Sequence, residues 1–489
     1  MKYISTRGGS EAVSAAKAIV EGLAPDGGLY TMDLSAIPHV DINELIELDY
    51  YALAAKIVSK LLPDFSESEA LSLVRKAYEG KFSSPLLCPV AEAGEDMFLE
   101  LFRGPTSAFK DMALCLLPYL MKESAVKCGQ SDDILILTAT SGDTGKAAME
   151  GFKDVPGIKI IVFYPDEGVS AVQKQQMVSQ EGKNVKVCAV KGNFDDAQSG
   201  VKRIFESAPD VPGVSLSSAN SINIGRLVPQ VVYYFAAYFA ALSYGRIKMG
   251  EKLNFSVPTG NFGDILAGFI AGEMGLPVGK LICASNANNV LTDFINTGLY
   301  DKRRDFHKTV SPSMDILISS NLERLLYLMS GDAKLVASLM QQLKTEGYYQ
   351  VPEELLKKIQ AKFCGYCCDD VQTKAAIKAV WEESHYLCDT HTAVAWKAAQ
   401  DFGRENGPCV ILSTASPYKF PAAVLDALGM DCAGDEYDMM ELLEKESAVP
   451  MPENLRGLRQ RERLHNDLRA PEEMADYVLC NMKKKVWAE

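Results

Sequence analysis

Six short apolar runs constrain this chain more than any other feature. They are Ile134-Leu-Ile-Leu137, Ile158-Lys-Ile-Ile-Val-Phe163, Val185-Lys-Val-Cys-Ala-Val190, Leu253-Asn-Phe-Ser-Val257, Leu281-Ile-Cys-Ala284 and Cys409-Val-Ile-Leu412. Each is bounded by turn residues and followed by a helix-like stretch, the signature of right-handed β-α-β units. The predicted class is α/β, with open, mostly parallel sheets flanked by helices. Ligands of such sheets gather beyond the carboxyl ends of the strands, so chemistry is sought in those loops.

The remaining segments fall around this core. Residues 1–90 read as a helical N-terminal domain: residues 42–62 carry apolar residues at helical spacing up to Pro63, and Ser66-Glu-Ser-Glu69 is a capping box opening a second helix. Residues 91–245 are expected to form a smaller α/β domain and 246–430 a larger one. The larger carries a helical insertion at about 300–365 without chemistry, and 431–489 reads as a helical tail of mixed charge. Ala24-Pro-Asp-Gly-Gly-Leu-Tyr30 is a turn-rich loop with no evident structural duty.

Fifty basic against 64 acidic residues give a net charge of −14, which argues against nucleic acid or an anionic membrane surface as the partner. The first nine residues contain no apolar leader segment. Residues 227–242, the most apolar stretch, are interrupted by Pro229 and Gln230 and read as a buried helix. A cytoplasmic protein, monomeric or homodimeric, is the expectation. Its twelve cysteines then read as reduced thiols. Cys364-x-x-Cys367 with His385-x-x-Cys388 has a spacing that zinc could use, but the helical pattern between the pairs argues against it, and no metal is expected.

The chemistry is concentrated in Glu100-Leu-Phe-Arg-Gly-Pro-Thr-Ser-Ala-Phe-Lys-Asp-Met-Ala-Leu114. Lys110 stands between Phe109 and Asp111 at an expected helix start, behind a Thr106-Ser107 pair able to cap it. Helix-end positive charge and poor solvation lower an amine's pKa, as a Schiff-base lysine requires. Three strand-end loops accompany it. Thr138-Ala-Thr-Ser-Gly-Asp-Thr-Gly-Lys146 is a nest of hydroxyls and glycines suited to an anion, but not a P-loop: Thr140 replaces the first glycine and Ala147 follows the lysine. Val257-Pro-Thr-Gly-Asn-Phe-Gly-Asp264 is a second cradle. Lys191-Gly-Asn-Phe-Asp-Asp196 echoes it but places Asp195 where the other has Gly263, so the phosphate belongs to the later copy. Leu412-Ser-Thr-Ala-Ser-Pro-Tyr-Lys-Phe420 ends a strand with paired hydroxyls, able to meet a ring nitrogen without protonating it.

Taken with Asn220-Ser-Ile-Asn223, Arg226 and Gln176-Met177, these motifs, in order from Tyr3-Ile-Ser-Thr-Arg-Gly-Gly9 to Lys419, resemble threonine synthase, a fold-type II pyridoxal-phosphate family with tryptophan synthase β-like architecture. The resemblance implies pyridoxal 5'-phosphate carried on Lys110, its phosphate on Gly260, Asn261, Phe262, Gly263 and Asp264, and its ring nitrogen at Thr414. It implies a small-molecule substrate, O-phospho-L-homoserine, met by Ser141, Asp143 and Thr144, with its phosphate held by Asn220, Ser221 and Arg226. Asp389-Thr-His-Thr-Ala393 and Ala415-Ser-Pro417 each differ by one residue from the family's forms. The implied reaction yields L-threonine and phosphate. The alternatives are a phospholyase releasing 2-oxobutyrate, ammonia and phosphate, another fold-type II lyase, or a non-catalytic ligand-binding module.

Overall fold

A computed structural model describes residues 1–140, 142–167, 169–207 and 211–482. All six predicted runs are strands, and they divide between two sheets. The larger sheet runs Phe363–Cys367, Val278–Ser285, Leu253–Pro258, Cys409–Ser413, Asp96–Glu100, Val90–Ala93, with every pairing parallel except the last. The smaller runs Asp467–Arg469, Val185–Val190, Ile158–Pro165, Asp133–Ala139, Val214–Ser217, all parallel. Every residue of Leu253–Pro258 is buried, as expected of a parallel strand covered by helices on both faces.

Two of the strands without a sequence signature are short and polar. Asp467–Arg469 has three residues, two of them charged, and Val214–Ser217 alternates Val and Leu with Ser. The expected helical tail therefore contains a sheet edge beside its helices Glu436–Ser447 and Met474–Met482. It also crosses the molecule. Glu436 accepts the Val172 backbone N–H at 2.9 Å, Asp467–Arg469 extends the smaller sheet, and Asn454 reaches the Lys110 loop.

Similar differences mark the other segments. The N-terminal region has helices Ala15–Glu21, Tyr50–Leu61 and Glu67–Tyr78, the last opened by the Ser66/Glu69 capping box. Asp49 caps Ala52 and so confines the helix expected over 42–62 to its second half. Ile4–Ser5 pairs with Tyr30–Thr31, which gives the Ala24–Tyr30 turn a partner. The insertion holds three helices, Leu322–Ser330, Ala333–Thr345 and Glu353–Lys362, plus a ribbon of Leu299–Asp301 with Tyr348–Gln350 and the edge strand Phe363–Cys367.

Ile224–Ser243 is the long apolar helix, and its Tyr233, Tyr234 and Tyr238 are fully buried in the protein core. Among the described residues no helix is long and apolar enough to cross a membrane. All twelve cysteines are free thiols, and no group of three or more ligand side chains among the described residues could hold a metal.

Candidate active site

The loop preceding Lys110 is held in an unusual shape. Ser107 adopts a positive φ of 59°, costly for a residue with a Cβ. Ser107 and Thr106 do not cap the following helix. Instead both the N–H and the hydroxyl of Thr106 donate to buried Asp111, at 2.8 and 2.6 Å, while Ser107 donates to Asn454 Oδ1 at 2.9 Å. Asn454 in turn donates to the Pro105 carbonyl at 2.6 Å. Burial pushes the Asp111 carboxyl up to about 6 against the Thr106 bonds.

The same loop zips onto the end of Cys409–Ser413. Phe109 donates its N–H to the Thr414 carbonyl at 2.8 Å, Ser416 donates to the Ser107 carbonyl at 3.1 Å, and Ala108 bridges Ala415. Lys110 and Thr414 thereby become neighbours across the carboxyl end of the larger sheet, with Thr414 only 5% exposed. The Lys110 ammonium lies 4.9 Å from the Phe109 ring centre and 4.0 Å from Asp143, with 13% of its side chain exposed. Burial lowers its pKa; Asp143 opposes this, while the charges of Lys419 and Arg226 reinforce it.

Asp143 opens the helix Asp143–Phe152 from the predicted Thr138–Lys146 nest. Its other oxygen takes the ammonium of Lys419 at 2.5 Å, and Gln173 donates to it at 3.2 Å. Burial alone would raise this carboxylate; Lys419 and Lys110 outweigh it and hold Asp143 well below the usual range. Lys419 is fully buried and also donates to the Thr106 carbonyl at 3.1 Å. The Leu412–Phe420 sequence motif that contains this lysine assigns it no role, because burial is what distinguishes it from a surface lysine. Thr144 is half-buried in the first turn of the same helix, and Ser141 lies outside the described residues.

Beside this pair opens a cavity of about 350 Å³ lined by Asp143, Ser170, Gln173, Thr309, Ser313 and Lys419. Residues 309–313 belong to the insertion expected to carry no chemistry, and they form one wall of the site. Ser313 donates its N–H to His391 Nε2 at 3.1 Å, which puts the imidazole proton on Nδ1, facing Asp389 at 2.7 Å.

The loop ending Leu253–Pro258 turns through Phe262 at φ 60° into the helix Gly263–Glu273. The Phe262 ring is buried against Phe363, so its side chain is turned into the core and only its backbone is left for the loop's concave side. A Cβ on Gly260 would stand 3.0 Å from the Ser313 carbonyl oxygen. Asp264 turns its carboxylate to the helix Ile224–Ser243: Oδ1 accepts Tyr233 at 2.5 Å and Tyr234 at 3.0 Å, while Oδ2 is buried without a partner. Burial pushes it up to about 6 against the two tyrosine bonds. In the echo loop, Asn193 and Asp196 already occupy each other's backbone N–H groups, which leaves no cradle there.

Arg226 lies in the first turn of Ile224–Ser243, 4% exposed. Nη1 donates to the Ala219 carbonyl at 2.7 Å, Nε is buried without a partner, and no carboxylate pairs with it among the described residues. Burial pushes its pKa down to about 10. Ser221 is half-buried and Asn220 exposed at the loop leading to this helix.

Family models described as threonine synthase N terminus, pyridoxal-phosphate dependent enzyme, and threonine synthase C-terminal match residues 2–78, 90–414 and 392–478. The chain is 39% identical over 431 residues to the threonine synthase of Pseudomonas aeruginosa, covering 87% of this chain and 90% of that one. It is 39% identical over 453 residues to threonine synthase-like 1 of Pongo abelii, with 87% of this chain covered but only 60% of that longer relative. Among solved structures, the PLP-bound threonine synthase from Brucella melitensis superposes with a TM-score of 0.89 at 37% identity, covering 99% of this chain and 100% of that one. The site fits such a cofactor: a buried lysine beside a strand-end hydroxyl, and a glycine-bracketed helix start for a phosphate. These matches and this geometry place the chain in the threonine synthase family of pyridoxal-phosphate-dependent lyases.

Proposed function

We propose that this protein converts O-phospho-L-homoserine and water to L-threonine and phosphate. The observation that carries the reading is Arg226, a buried guanidinium with an unpartnered Nε and, among the described residues, no carboxylate partner. A buried cation is stable only when an anion neutralises it, and a guanidinium fork suits a phosphate. A substrate with its own phosphate would supply that anion, with Ser221 and Asn220 beside it.

Pyridoxal phosphate, when bound, supplies the electron sink for chemistry at carbons next to the amino group. In this reading the backbone of Gly260, Asn261, Phe262 and Gly263 holds the cofactor phosphate, Asp264 anchors that loop, and Thr414 meets the ring nitrogen. Lys110 carries the cofactor and, once freed, moves protons at the substrate carbons; its burial favours the free base such transfers need. Asp143 and Thr144, with Ser141, meet the amino-acid end of the substrate. Lys419 keeps Asp143 ionised and in place.

Incubation with O-phospho-L-homoserine, with phosphate and organic product both assayed, tests the proposal. Equal amounts of phosphate and threonine are expected. Release of phosphate with 2-oxobutyrate and ammonia would replace it by the phospholyase reading, and no phosphate release would reject the substrate.

A further inference from the structure

The segment Ser319–Asn321 and the start of the helix Leu322–Ser330 lie between the two candidate anion centres and bond to both. On the cofactor side, Ser319 donates to the Gly260 carbonyl at 2.8 Å, and Asn321 donates to the Asn261 carbonyl from its backbone and from Nδ2, each at 3.0 Å. On the substrate side, Asn321 Nδ2 donates to the Ser221 carbonyl at 3.2 Å, and the Ser221 and Ser320 hydroxyls meet at 3.2 Å. One amide nitrogen thus spends both of its protons on two loops that the chain separates widely.

Asn321 is itself fully buried and oriented from behind. Arg324, also fully buried, donates Nη1 to Asn321 Oδ1, Nη2 to the Ile222 carbonyl of the substrate-side loop, and Nε to the Tyr30 carbonyl at 2.9 Å. No carboxylate pairs with Arg324 among the described residues; its neighbour Glu323 is taken by Thr6 and Arg7. The guanidinium accordingly fixes which end of the Asn321 amide faces the two loops.

We propose that Asn321, oriented by Arg324, is a positioning residue that ties the loop 220–223 to the loop 260–263 and so sets the spacing of the two anion centres. This rests on the reading that those loops hold the substrate and cofactor phosphates. If the tie exists, one substitution degrades both centres together.

Asn321→Leu isolates this role. It keeps the size of the side chain and adds no charge beside either anion centre, while removing the Nδ2 bonds to the Ser221 and Asn261 carbonyls. The backbone N–H stays on Asn261, and Arg324 loses its acceptor, so Val336→Ala, which opens a cavity in the helix Ala333–Thr345, serves as a control of comparable instability. Two constants are measured beside the thermal midpoint: the dissociation constant of pyridoxal phosphate, from its visible absorbance after dialysis, and that of inorganic phosphate for the cofactor-loaded protein, by calorimetry. Both should rise about tenfold in Asn321→Leu and stay within about twofold of wild type in Val336→Ala. A rise in only one constant, or in neither, overturns the proposal, as does an equal loss of affinity in Val336→Ala. Neither constant depends on turnover, so a wild type that forms no threonine would reject the proposed reaction and leave this result readable.

Discussion

Replacing Arg226 by Met should make the free protein more stable and the substrate complex much weaker, an opposition of signs that few residues would give. Burial takes the guanidinium from 12.5 to about 10, which corresponds to about 3 kcal/mol against the charged form. Met fills similar volume without that cost and forfeits the bond to the Ala219 carbonyl, worth about 1 kcal/mol, so a net gain of about 2 kcal/mol and a midpoint higher by about 2 °C are expected. KM for O-phospho-L-homoserine should rise about a hundredfold, the equivalent of a charge-assisted pair worth about 2–3 kcal/mol, with the cofactor's visible spectrum unchanged. Arg226→Lys should recover only part of this, because a point charge cannot reproduce the fork. The assays are phosphate release against substrate concentration and thermal unfolding of the cofactor-loaded protein with and without inorganic phosphate, which should stabilise only the wild type. A KM within about threefold of wild type, loss of the cofactor, or destabilisation of the variant would refute the argument.

Lys419→Met removes the closer partner of buried Asp143 and should cost about 3 kcal/mol in urea unfolding, with Lys419→Met/Asp143→Asn recovering part of the loss; an unchanged single variant would show that the pair contributes nothing. Gly263→Asp should strip the cofactor on dialysis, while Asp195→Asn in the echo loop leaves retention intact. Added bulk is not the cause, since the nearest atom to a Cβ at Gly263 is 3.5 Å away; Gly192 would be a poor control, because a Cβ there falls 2.3 Å from Asp196. Asp264 has a folded pKa of about 6 against an ordinary 3.8, so its contribution to stability is present below pH 3.8 and lost as pH rises to 6. Relative to Asp264→Asn, the wild type should therefore lose about 3 kcal/mol between about pH 4 and pH 7, the free-energy equivalent of raising that carboxyl from 3.8 to about 6, and parallel urea-unfolding profiles for the two proteins would disprove it.

The sheet strands are legible in the sequence where they are long and apolar on both faces, because burial between two helical layers forces that composition. Asp467–Arg469 is not, since a three-residue edge strand needs no apolar pattern and gains its place from the neighbour it pairs with. Motif order locates Lys110, Thr414 and the Gly260–Gly263 loop, which the structure brings to one sheet end. Lys419 and Asn321 escape such reading because their significance lies in burial and in partners more than 200 and about 60 to 100 residues away, information carried by tertiary contacts rather than by local sequence. The insertion's part in the site is hidden for the same reason: its helices announce themselves by periodicity, while the irregular stretch that walls the cavity does not.

The reach of Asn454 to Ser107 spans 347 residues of chain. During synthesis, both sheets can acquire most of their strands before that residue exists, and the strained turn ahead of Lys110, already tied to Asp111 and to the end of Cys409–Ser413, lacks its Asn454 clasp until then. Native contacts this distant form late, after the entropy of closing the intervening chain has been overcome. The final tie on the turn ahead of Lys110 is thus among the last contacts of the molecule to be made, and the nascent polypeptide passes through most of its assembly with that turn held from one side alone.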